Sequence, residues 1–209
     1  TSIDDSPTQV RQFDGNYLYR NLGDHEYEHA GVAAGVTEGY WGWGTVFVDL
    51  DNDTDLDIVE ANGWYYLSDP AVVFLSDGSG AFTEAAAQVG LDFTAGTRGL
   101  LNGDVDNDGD QDLVFCAIES GLRVYENDLS GPGTGYLRVF LDPSGAPGVA
   151  PDGVGSHVFA ELADGTSQRR YVDASTNYLS QSEMSAHFGL GSADEVARLR
   201  VRWTDGTET

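Results

Sequence analysis

Two runs of aspartate, DLDNDTDLDIV (Asp49 to Val59) and DVDNDGDQDLV (Asp104 to Val114), hold the residues of this chain best suited to chemistry. Carboxylates stand at every second position: Asp49, Asp51, Asp53, Asp55 and Asp57 in the first run, Asp104, Asp106, Asp108, Asp110 and Asp112 in the second. Two such charges 4 Å apart repel by roughly 1 kcal/mol in water and about 4 kcal/mol at a surface-like dielectric. A loop that gathers them calls for a cation. Neither run contains Cys or His, so every donor is a hard oxygen and the expected cation is Ca2+, one per loop.

The pattern D-x-D-x-D-G-x-x-D assigns a task to each position. The first, third and fifth side chains converge, the seventh residue offers its carbonyl, and the ninth returns a carboxylate. Gly109 occupies the sixth place of the second loop, where the chain turns sharply and favours positive φ, whereas the first loop has Thr54 there, which predicts strain. An EF-hand is a competing frame, because Glu60 stands at position twelve of the first loop. Position twelve of the second is Phe115, however, and both runs lead into β-branched or apolar residues without helical periodicity. A loop between strands fits both copies. The remaining alternative is a pair of solvated acidic turns without metal.

The elements that position these loops repeat. The two runs are 55 residues apart, and the same shift lays NYLYRNLGDHEYEHAGV (from Asn16) on AVVFLSDGSGAFTEAAA (from Ala71), with Tyr19 on Phe74, Gly23 on Gly78 and Tyr27 on Phe82. A third copy starts at Arg123, with Tyr125 in the Tyr19/Phe74 place after a connection four residues shorter. Short strands separated by turn signals at this period predict antiparallel propeller blades. After SGPGTG (Ser130 to Gly135) the pattern changes to alternating stretches such as HVFAEL and LRVRW, which predict a second β-module without an acidic ladder. The expected fold is therefore all-β: a partial β-propeller of two to three four-stranded antiparallel blades over residues 1–132, then a β-sandwich-like module over 133–209. Such a piece cannot close a propeller, and the remaining blades are expected N-terminal of Thr1.

The formal charge is −25, and two calcium ions would leave about −21, so nucleic acid and anionic membranes are poor partners. No apolar run has membrane-spanning length, so no membrane insertion is expected. Cys116 is the only cysteine, which excludes an intrachain disulfide, and DLVFCAIE predicts a small buried hydrophobe there. Calcium loops would stay largely empty at submicromolar cytosolic calcium, which favours a secreted, cell-surface or periplasmic location.

The acidic ladder in its 55-residue frame, from about residue 15 to 130, resembles the FG-GAP/VCBS repeat family, the calcium-binding blades of integrin-α-type propellers. GVGSHV, NYLSQS, HFGLG and VRWTDG, in that order over about 133–209, resemble the ASPIC/UnbV domain, which follows such blades in cartilage acidic protein-like and bacterial exported proteins. The chain departs from the ASPIC/UnbV pattern at APGVAPDG, where an Asn-Arg pair is usual, and at Thr204, where the turn usually has Pro. The resemblance implies an exported, non-enzymatic calcium-binding protein of extracellular adhesion or recognition, whose partner is an extracellular protein or glycan.

Other motifs carry less. His25-Glu26-Tyr27-Glu28-His29 satisfies H-E-x-x-H, but the repeat places it on a turn and strand, where side chains alternate and His25 and Glu26 would point to opposite faces. Ser180, Ser182 and His187 include triad residue types without a G-x-S-x-G elbow, and His157 and His187 are expected to be packing or hydrogen-bonding histidines. The sequon at Asn52 lies inside a metal loop. No catalytic residue is expected. Trp64, Tyr65 and Tyr66, in the loop after the first metal strand, are candidate ligand-binding residues, because aromatic rings in loops stack on sugars or proteins. Trp41 and Trp43 fall where the family has apolar core residues. The alternatives in function are a lectin-like carbohydrate-binding module, with ligand at Trp64, Tyr65 and Tyr66, and a non-catalytic part of a larger enzyme.

Overall fold

The structure is a computed structural model that describes residues 15–64, 69–146, 148–175 and 177–209. Strands β1 (Tyr19–Gly23) and β2 (Glu26–His29) form a hairpin, followed by a single helical turn, α1 (Gly31–Ala34). Next come β3 (Gly42–Val48), β4 (Asp57–Asn62), β5 (Asp69–Pro70), β6 (Val72–Ser76) and β7 (Phe82–Glu84). The antiparallel sheet β3-β4-β6-β7 is a complete four-stranded blade. Then β8 (Thr94–Ala95) pairs with β5, and β9 (Thr97–Gly103), β10 (Asp112–Ala117) and β11 (Gly121–Tyr125) form a three-stranded sheet.

The 55-residue period governs strand register and individual hydrogen bonds. Tyr19 faces His29 as Phe74 faces Glu84, and Phe47 faces Ile58 as Asn102 faces Leu113. The Ala30 N–H donates to the Leu18 carbonyl and the Ala85 N–H to that of Val73. Tyr125 pairs with Leu113 as Phe74 pairs with Ile58, so the shortened connection restores register at the position expected. The hairpin β1-β2 thus repeats the outer pair β6-β7.

β4 is buried along its whole length, with Val59 and Ala61 in the core shared with the second sheet and Ile58 packed with Val36 and Leu18. Val59, Val73, Leu100 and Phe115 form the core between the two sheets, while Val36, Ile58, Val72 and Phe74 form a smaller one with Leu18 and Phe82 packed against it. Burying each such side chain contributes about 1.5–3 kcal/mol.

Where the second sheet would acquire a fourth strand, the chain instead enters β12 (Gly135–Val139). This strand joins β13 (His157–Leu162), β14 (Ser167–Tyr171), β15 (Ala186–Gly191) and β16 (Val196–Arg202) in a sandwich. One sheet is β12-β15 and the other β14-β13-β16, and Val158, Ala160, Val172, Phe188 and Leu190 fill the space between them. The architecture is the all-β partial propeller and sandwich that the repeats and alternation predict.

Two expectations of burial fail. Cys116 is exposed, because the alternation along β10 turns Leu113, Phe115 and Ala117 inward and Cys116 outward, opposite Leu122, itself 69% exposed. Trp41 is 54% exposed at the approach to β3, whereas Trp43 is half-buried.

The sandwich also seals a sheet edge. β9 lies at the edge of its sheet, and residues 177–183 run beside it. The Leu100 N–H donates to Ser180 Oγ at 3.2 Å and the Asn102 N–H to Ser182 Oγ at 3.0 Å, while the Glu183 N–H donates to the Asn102 carbonyl at 3.1 Å. Backbone groups of an open edge are thereby satisfied. These contacts explain the NYLSQS serines, whose hydroxyls serve β9 while His187 Nε2 faces Asn52.

Candidate metal centres

Each acidic loop connects the first two strands of its blade, and equivalent residues shape both. Asn52 and Asn107 adopt φ of 57° and 63°, and Thr54 and Gly109 adopt 95° and 104°. The first loop therefore makes the same turn with a β-branched residue in the left-handed region, the strain expected of Thr54. The ninth-position carboxylates staple the loops. Asp57 accepts the Leu50 N–H at 3.0 Å and the Ser76 N–H at 2.8 Å, and Asp112 accepts those of Val105 at 2.7 Å and Asn127 at 2.8 Å.

The first, third and fifth positions converge. Asp49, Asp51 and Asp53 bring one carboxylate oxygen each within 4.8 Å of one another, and Asp104, Asp106 and Asp108 do the same. Asp51 Oδ1 and Asp104 Oδ1 are buried with no hydrogen-bond partner. The side chains at position seven point elsewhere: Asp110 Oδ1 accepts from Asn52 Nδ2, and Asp55 lies against Gly78. Glu60 sits in β4 and accepts from Asn16 Nδ2 at 2.8 Å, away from the loop, which removes the EF-hand frame.

Burial pushes Asp49 up to about 7, opposed by Arg170 and reinforced by neighbouring aspartates. Burial also takes Asp57 to about 7 despite its two backbone donors, and it raises Asp51 and Asp55, with the charge on Asp53 adding to both. Without a cation Asp49 and Asp57 hold their protons up to near neutrality. A hard divalent cation resolves the conflict, and three converging carboxylates, one of them with a buried, unpartnered oxygen, fit one. The groups that would hold it are Asp49, Asp51 and Asp53 in one loop, and Asp104, Asp106 and Asp108 in the other.

Sequence reasoning missed the residues around the loops. Asn52 Nδ2 lies 2.9 Å from Asp110 Oδ1, 2.9 Å from Ser130 Oγ and 3.2 Å from the Gly109 carbonyl, while His187 Nε2 is 2.7 Å from Asn52 Oδ1. Burial, followed by Arg170, lowers His187 to about 4, so the ring is neutral at pH 7. An Asn at the same place in both ladders is the only local trace of this arrangement.

The aromatic group at the other end of the first blade is a packed cluster. Trp64 stacks on Trp43 with centroids 5.4 Å apart, and the Arg98 guanidinium lies 4.1 Å from the Trp43 ring centroid. Tyr178 meets the Trp43 edge at 5.0 Å, and Trp43 Nε1 donates to the Gly63 carbonyl at 2.7 Å. Tyr65 and Tyr66 lie outside the described residues. H-E-x-x-H lies on the β1-β2 hairpin, with His25 in the turn and His29 beside Tyr17 and Tyr19.

Acidic strand-to-strand loops repeated at blade spacing, beside a β-sandwich, define a two-module class. Family models agree: residues 9–60 match the FG-GAP-like repeat and residues 147–209 match ASPIC and UnbV. The first match falls on the hairpin and first acidic loop and the second on the sandwich. It is 29% identical to human cartilage acidic protein 1 over 178 residues, covering 77% of this chain and 24% of that protein. The mouse protein of that name is 28% identical, with 77% and 25% covered, and the Xenopus tropicalis one 25%, with 91% and 38%. The chain thus spans about a quarter of the mammalian relatives' length.

Proposed function

We propose that this is an exported, non-enzymatic calcium-binding propeller segment that serves extracellular recognition or adhesion, with Ca2+ in a structural role at both loops. The observation that carries the reading is the pair of aspartate triplets, built alike 55 residues apart, each with a buried carboxylate oxygen lacking a partner. When bound, the cation supplies the positive charge that lets these aspartates stay ionised together. The chain's own residues do the rest: Asp57 and Asp112 fix the loop backbones, and Asn52 ties the loops to each other. The relatives' name, which joins cartilage with acidic character, supports an extracellular setting. At free calcium a hundredfold above Kd, a site adds about 2.7 kcal/mol to folding.

The test is a calcium titration by calorimetry, with thermal melting in calcium and in EDTA. Two binding events and a higher melting temperature in calcium are expected. No binding by a folded sample would overturn the reading.

A second reading, glycan binding, draws on the Trp41–Trp64 pair, with centroids 5.1 Å apart and Trp41 exposed. Replacing both by alanine would then abolish retention on a glycan array while calcium binding persists. Unchanged retention would dismiss it.

A further inference from the structure

The C-terminal sandwich closes both acidic loops from outside. Arg138, on β12, places one guanidinium nitrogen 2.5 Å from Asp104 Oδ2 and the other 3.2 Å from Asn107 Oδ1 and 3.4 Å from Glu183 Oε1. Asp104 is 7% exposed, and its second oxygen, Oδ1, is the buried one without a partner. One oxygen of this aspartate is thus oriented by the sandwich, and the other is left for the loop.

Asp49, at the same position of the first loop, is held in a parallel way. Its Oδ2 accepts the Gly189 N–H from β15 at 3.1 Å, and the Arg170 guanidinium lies 3.7 Å away. Gly189 is the residue that allows this approach, because a Cβ there would stand 2.3 Å from Asp49 Oδ2 and 2.5 Å from Asn52 Cα. Two residues on, the Gly191 N–H donates to the Asn52 carbonyl at 2.8 Å.

We propose that the sandwich forms the outer shell of both loops, so that cation loading and seating of the sandwich on the blades are one coupled equilibrium. Arg138 is the positioning residue of the second loop and the Gly189 N–H the positioning group of the first. The inference rests on the calcium reading above. Groups that hydrogen-bond a ligating carboxylate fix its orientation, and their loss typically costs 10–100-fold in metal affinity. A guanidinium also repels a dication, but Glu183 offsets part of its charge, and without Arg138 the buried Asp104 would have no cation within salt-bridge distance among the described residues. By linkage, whatever the sandwich adds to cation affinity, the cation adds to docking.

The experiment uses the full chain. Amide exchange at Gly189 and Gly191, whose N–H groups cross the interface, is compared in calcium and in EDTA, and calcium binding is titrated in wild type, Arg138→Lys and Arg138→Met. Coupling predicts at least about tenfold slower exchange in calcium, and about tenfold weaker binding at one of the two sites in both variants. Lysine keeps the charge but loses the fork to Asp104 and Asn107, so weakening by Arg138→Lys identifies positioning rather than net charge. Calcium binding with unchanged exchange at both glycines would overturn the coupling and leave the calcium reading intact, as would wild-type affinity in both variants. Absence of calcium binding by the wild type would remove both together.

Discussion

Nδ2 of Asn52 lies 2.9 Å from Oδ1 of Asp110, which links the two acidic loops directly across 58 residues of sequence. The same amide contacts Ser130 at the junction with the sandwich and, through its oxygen, His187 within it. Asn52 also holds φ of 57°, a conformation that asparagine tolerates better than most residues. Asn52→Ala leaves buried partners unpaired, at about 1–3 kcal/mol, and adds left-handed strain of about 1–2 kcal/mol. A loss of about 3 kcal/mol is expected, read as a lower midpoint in urea unfolding.

The sixth loop positions predict opposite outcomes. Thr54→Gly relieves left-handed strain of about 1–3 kcal/mol at an entropic cost of about 0.5–1 kcal/mol, for a net gain of about 1 kcal/mol. In a chain of this size that raises the melting temperature by about 2–4 °C. Gly109→Ala is expected to lose about 3 kcal/mol, because its Cβ would meet Tyr136 Cε1 at 1.9 Å in addition to the strain at φ of 104°. Melting curves of the two variants check the contrast.

Calcium stabilisation should grow with pH. Asp49 and Asp57 sit near 7 in the fold against 3.8 unfolded, so the metal-free native state binds more protons than the unfolded state between about pH 4 and 7. Their contribution is present at the acid end of that window and is lost as pH rises through it. His187 works the other way, with about 4 folded against 6.5 unfolded, and its contribution appears as pH rises. Calcium competes only with the carboxylate protons. The difference in melting temperature between calcium and EDTA therefore widens from pH 5 to 7.5, and a constant difference would contradict the assignment.

The two neighbouring tryptophans should differ sharply. Trp43 is packed by Arg98, Trp64 and Tyr178, and Trp43→Ala is expected to cost about 3–5 kcal/mol. Trp41→Ala, at an exposed site, should cost about 0.5 kcal/mol. Denaturant unfolding of the two variants separates them.

The period of 55 residues, the placement of each acidic loop between strands, the shortened connection ahead of Tyr125 and the change to a second β-module were all legible from residue order. These features depend on spacing along the chain: alternation sets which way a side chain faces, a fixed repeat preserves strand register, and a turn position at positive φ marks itself by Gly or Asn. The five-carboxylate pattern and the convergence of its first, third and fifth members were equally plain, but the hydrogen-bond partners of the others were not. Tertiary structure assigns Asp57 and Asp112 to backbone N–H groups and Asp110 to Asn52, while three aspartates per loop converge.

The remaining contacts depend on how the two modules meet. Arg138 on Asp104, Gly189 on Asp49, His187 on Asn52 and the serines along β9 join residues 34 to 140 positions apart. No local pattern encodes such pairs, since each requires the chain to leave the second sheet before its fourth strand and fold the sandwich back over both loops. The exposure of Cys116 and Trp41 has the same origin, because burial depends on which surface arrives from elsewhere in the fold: Cys116 remains exposed on the outer face of β10, and Trp41 remains 54% exposed although Trp64 packs on it.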